Sequence, residues 1–70
     1  MMPLTYANIG EENVIKRIGG ANETKRHLEN LGFVPGSKVS IVNKMNQNVI
    51  VNIKDTRIAI SEELAQKIMI

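Results

Sequence analysis

The chain has no cysteine and a single histidine, His27. Disulfides and thiolate metal cages are thereby excluded, which suits a reducing compartment. A closed metal site takes about four ligands. His27 and Glu23, one helical turn apart, supply two, so no metal site is expected and His27 reads as an exposed surface residue. Aromatics are confined to Tyr6 and Phe33, too few for the stacking platforms that bind single-stranded nucleic acid. Nor is there a basic cluster: nine Lys and Arg against seven acids leave a net charge of +2, scattered from Lys16 to Lys67. Phosphate backbones are held by clustered cations that release counterions, so no nucleic acid is expected as a partner. No segment approaches the ~20 apolar residues that span a bilayer. The opening Met1-Met2-Pro3-Leu4-Thr5 also lacks the basic and apolar regions of a signal peptide. A cytoplasmic protein is expected, with any membrane association made through a partner.

Chemistry is missing in the same way. No Gly-rich phosphate loop precedes a helix and no nucleophile stands with a base, so neither catalytic nor cofactor-binding residues are expected. Gly19-Gly20 before a helix reads as a turn, not an anion site, and Asp55 as a turn former.

What the sequence does contain is β-branched. The 70 residues suffice for one domain, residues 1–70, and the 43% apolar content consists mostly of Ile, Val and Leu. Stiff branched side chains pack well on pleated sheets. Residues 3–13 read as loop, and Val14–Ile18 as a first strand with Val14, Lys16 and Ile18 on one face. A helix over 22–31 follows, with Asn22 as N-cap and Thr24, Leu28 and Leu31 on its core stripe. Gly32 suits a left-handed helix end and Pro35 prevents continuation.

Ser37–Lys44 and Asn48–Ile53 form a hairpin. If Val39 and Ile41 face the core with Val49, Val51 and Ile53, the loop holds an odd number of residues, Met45-Asn46-Gln47. Ile41 then pairs with Val51, Val39 with Ile53, and Val42 with Ile50 on the outer face. A tight turn at Lys54-Asp55-Thr56 leads to a strand with Ile58 and Ile60 inward. Ser61 caps a short helix beginning Glu62-Glu63, and Ile68-Met69-Ile70 closes the fold. The fold class is mostly β with short helices: a small barrel of about five strands, one helix after the first strand and a short one before the last.

The string Leu28-x-x-Leu31-Gly32-Phe33-Val34-Pro35-Gly36 resembles the core motif of the FeoA family, small cytosolic proteins of bacterial ferrous iron transport. Pro3-Leu4, Gly10-Glu11 with Ile15 and Ile18, Val49–Ile53, Ile58-Ala59-Ile60 and Ala65 with Ile68 extend the resemblance over nearly the whole chain. Asp55-Thr56-Arg57, where the family commonly places Gly, and Ser61 depart from it. The resemblance implies an SH3-like barrel and a non-enzymatic role. It also implies a partner, the membrane ferrous-iron transporter with a cytosolic GTPase domain, whose assembly or GTPase cycle the family is thought to modulate.

The candidate partner-binding residues are Val42 and Ile50, apolar on the outer sheet face, and, second, Leu31 and Phe33 near the helix end, for both of which core packing is the favoured reading; self-association is a further possibility. The alternative function is a stand-alone regulatory SH3-like domain of the metal-dependent repressor type, or a small nucleic-acid-binding barrel. Without a helix-turn-helix such a chain could not read DNA by itself.

Overall fold

In the computed structural model, which describes residues 1–70, a 3-10 turn (Leu4–Tyr6) precedes β1 (Glu12–Val14), β2 (Arg17–Ile18) and α1 (Asn22–Asn30). Then come β3 (Lys38–Met45), β4 (Asn48–Ile53), β5 (Thr56–Ser61), α2 (Glu62–Ala65) and β6 (Ile68–Met69). The strands form two antiparallel sheets, one ordered β1-β3-β4-β5 and the other β2-β6. The core lies between them, and no polar side chain is buried in it.

Six strands stand where about five were expected, because the first expected strand is two. Ile15 and Ile18 are both buried while Val14 is 48% exposed, a spacing of three that a single alternating strand cannot give. The chain changes sheets between them. The Ile15 N–H donates to the Ser37 carbonyl at 2.9 Å, and the Ile15 carbonyl accepts from the Gly36 N–H at 2.8 Å. One residue on, the Lys16 N–H donates instead to the Met69 carbonyl at 2.7 Å. Residues 3–13 are likewise more ordered than a loop, since they hold the 3-10 turn and the first two residues of β1.

The helix α1 ends as its sequence indicates. Gly32 has φ +107°; its N–H donates to the Glu29 carbonyl, and the Phe33 N–H reaches back to the Leu28 carbonyl, both at 3.0 Å. This pair of bonds satisfies carbonyls that would otherwise be orphaned, and it sets Phe33 beside Leu28. Both side chains are fully enclosed. The start differs from expectation: Ala21 occupies the N-cap position without a side-chain bond, and Asn22 is the first helical residue. In α2 the expected cap is present, with Ser61 Oγ accepting from the Leu64 N–H at 3.1 Å.

The β3–β4 hairpin has the expected inward pairs Val39–Ile53 and Ile41–Val51, but reaches them differently. Its turn has two residues, Asn46-Gln47, because Met45 pairs with Asn48. The parity that a three-residue loop would have supplied comes from a β-bulge between Ile41 and Asn43. Asn43, not Val42, is the registered partner of Ile50, and Val42 is the extra residue. A bulge inserts one residue into one strand and preserves the facing of both sides.

The β4–β5 turn is also two residues long, Lys54-Asp55, with φ of +50° and +63°. Two positive values match the type I′ hairpin, whose twist suits the strands and whose usual residues are Asn and Gly. Ordinary L residues pay about 1–2 kcal/mol each for such a backbone. Replacing Lys54→Asn and Asp55→Gly together should therefore stabilise the domain by ~1 kcal/mol or more, read as a higher urea midpoint at unchanged slope. Phe33→Ala should do the reverse, costing ~3–5 kcal/mol and leaving so small a domain largely unfolded by circular dichroism.

Candidate functional site

Alternation along β4 and β5 sends Asn48, Ile50 and Asn52, and Arg57, Ala59 and Ser61, to the outward face of the larger sheet. Cross-strand pairing then arranges this face in rows. Ser40, Asn52 and Arg57 form one row, and Asn43, Ile50 and Ala59 the next, with Val42 bulged beside them. Met45 and Asn48 follow.

The face is divided in character. Toward the β4–β5 turn it is polar, and an open groove of about 300 Å³ runs there between Glu12, Ser37, Lys38, Ser40, Asn52, Lys54 and Asp55. A Lys38–Glu12 ion pair at 3.7 Å lies on it, with both side chains about two-thirds exposed, so it contributes at most a few tenths of a kcal/mol. Toward the β3–β4 turn the face is mixed: Val42 and Ile50 are half-buried, Ala59 is exposed and Met45 is 52% exposed, and the polar Asn43 and Asn48 stand among them.

Of the four residues singled out from sequence, the structure brings Val42 and Ile50 together on this face. Leu31 and Phe33 lie elsewhere. Phe33 is 0% exposed and belongs to the core, and Leu31 is half-buried and packed against it. The helix-end turn that buries Phe33 removes it from any docking surface. Met45 was missed because it reads as loop; the bulge extends β3 to Met45 and aims it outward.

A second apolar strip also escaped notice. Tyr6 is 74% and Ile9 58% exposed, on a segment that follows β3 closely. Ile9 bridges Ile41, the Gly10 N–H donates to the Ile41 carbonyl at 2.9 Å, and Lys44 Nζ donates to the Thr5 carbonyl at 3.0 Å. Only the alternation rule could have located these residues, and it does not apply to non-strand backbone.

His27 is exposed on α1, and nowhere do three or more His, Asp or Glu side chains gather as metal ligands would. The arrangement leaves a partly apolar patch on the outward sheet face.

A model of the FeoA domain matches residues 2–70. A protein of Methanocaldococcus jannaschii assigned as Fe(2+) transport protein A is 37% identical over all 70 residues, which cover 85% of its length. Among solved structures, FeoA of Stenotrophomonas maltophilia in complex with zinc superposes with a TM-score of 0.86 at 27% identity. The match covers 99% of this chain and 88% of that one, which is described as a procaryotic SH3 domain protein and suggested as a ferrous iron transport activating factor. A manganese-dependent transcriptional repressor shares the fold, with a TM-score of 0.82 at 17% identity over 94% of this chain and 38% of the repressor. With a family match over residues 2–70 and a relative 37% identical over the whole chain, the chain belongs to the FeoA family.

Proposed function

We propose that this chain is a non-enzymatic, cytoplasmic accessory protein of ferrous iron uptake. In this reading it binds the cytosolic side of the membrane ferrous-iron transporter and modulates that transporter's assembly or GTPase cycle. The observation that carries it is the FeoA match over residues 2–70, together with a relative assigned to Fe(2+) transport at 37% identity. None of the helices is long and apolar enough to cross a membrane; in this reading contact with the membrane is made through the transporter. The docking surface is the partly apolar half of the outward sheet face, Val42 and Ile50 with Ala59 and Met45 beside them. Half-buried apolar side chains on a rigid sheet lose little entropy on docking and expel water from both partners.

The repressor-type alternative has the shared fold behind it, which at 17% identity speaks for the fold alone. The two helices have nine and four residues and are separated by three strands, which is not a helix-turn-helix arrangement.

The test is a pull-down and GTPase assay with the transporter's cytosolic domain, with and without this protein. Binding and a changed GTP hydrolysis rate are expected; absence of both sinks the proposal. Tight, salt-sensitive retardation of DNA would favour the alternative. Val42→Asp combined with Ile50→Asp should weaken docking ~10-fold or more while the circular dichroism spectrum is retained. Unchanged affinity in the folded double variant would place the docking surface elsewhere.

A further inference from the structure

The larger sheet has two unlike edges. On one side β1 is only three residues long, and the segment from Thr5 to Gly10 follows β3 beyond it. On the other side stands β5, six residues long and paired with β4 alone. The two-residue turn makes Ile53–Thr56 a hydrogen-bonded pair, so the bonds to β4 fall at Thr56, Ile58 and Ile60. The N–H and C=O groups of Arg57 and Ala59 point the other way. No loop, cap or side-chain hydrogen bond reaches either residue. A long unpaired edge of this kind is a template for another strand.

From this we infer that β5 pairs antiparallel with β5 of a second copy of this chain about a two-fold axis at Ala59, joining two sheets into one of eight strands. The edge is self-complementary in that register. Ala59 meets Ala59 and exchanges two backbone hydrogen bonds, Arg57 meets Ser61, and Ile58 meets Ile60. Ile58, inward-facing but only half-buried in one copy, is covered by the pairing. Arg57 reaches the end of the opposing strand, where Glu62 and Glu63 open α2, so opposite charges meet at both ends. The register one step toward the turn would instead oppose Arg57 to Arg57, which like-charge repulsion disfavours. The register centred on Ile58 forms fewer edge bonds. The inference uses the backbone edge of β5, whereas docking to the transporter uses the outward side chains; Ala59 belongs to both, and Arg57, which lies off the Val42–Ile50 patch, separates them.

Sedimentation equilibrium of the full chain from micromolar to millimolar concentration tests it. The wild type should pass from monomer to dimer, with the amide protons of Arg57 and Ala59 exchanging more slowly as dimer forms. Ala59→Pro removes an N–H that β4 does not use, so it should keep the fold and remain monomeric throughout. Arg57→Glu alters only an exposed charge and should keep the fold, checked by circular dichroism; it should raise the dissociation constant ~10-fold, because the lost pair occurs twice. A wild type that stays monomeric at millimolar concentration overturns the inference and leaves the edge to an extended segment of another protein. A folded Ala59→Pro or Arg57→Glu variant that dimerises as the wild type does overturns it as well.

Discussion

The fold depends on the bond from the Phe33 N–H to the Leu28 carbonyl. Gly32 permits it, since a side chain there would be held at φ +107°, a backbone that L residues avoid. The bond turns the chain out of α1 and delivers Phe33, the only aromatic residue of the core, next to Leu28. Three residues later the Gly36 N–H bonds the Ile15 carbonyl, and Ile15 in turn bonds Ser37. That short stretch therefore ends the helix, fills the core and fixes the point where the first strand passes from one sheet to the other. The residues that carry the family resemblance are the residues that carry this geometry. A motif of this kind identifies the fold, and it identifies the partner only through kinship.

Much of this was legible because local rules and tertiary packing agree. The inward pairs of the central hairpin followed from apolar parity, the Ser61 cap from its Glu-Glu sequel, and the helix end from Gly32. Where the rules failed, a tertiary demand had prevailed. Nothing local marks Val42 as a bulge; the extra residue reconciles a two-residue turn with a core that needs Val39, Ile41, Val51 and Ile53 on one side. Nothing local breaks Val14–Ile18 either. The break follows from two sheets each claiming part of it, which no single-strand periodicity can express.

The candidate site divides along the same line. Val42 and Ile50 were placed outward by parity, which holds along β4 and along β3 as far as Val42; beyond it the bulge reverses the alternation of β3. For Leu31 and Phe33 the core stripe and the helix-end motif already pointed inward, and the structure packs both on the core; their place after a helix end is what had also left them as surface candidates. Met45 was lost because the hairpin turn is shorter than the loop assigned to it. Tyr6 and Ile9 lie on non-strand backbone, where alternation has no force.

A domain of 70 residues buries roughly 60% of its unfolded surface and holds a thin margin of stability. Each apolar side chain spent on the outward face is one withheld from the core, at a loss of about 1.5–3 kcal/mol where burial would have been complete. Val42, Ile50, Met45, Tyr6 and Ile9 together make that a substantial sacrifice for a protein with no disulfide to compensate. A bound partner returns part of it, because anything that binds the folded state alone stabilises it by mass action. The outward apolar side chains and the unpaired β5 edge thus have one origin: a fold of this size cannot enclose all its apolar and hydrogen-bonding groups.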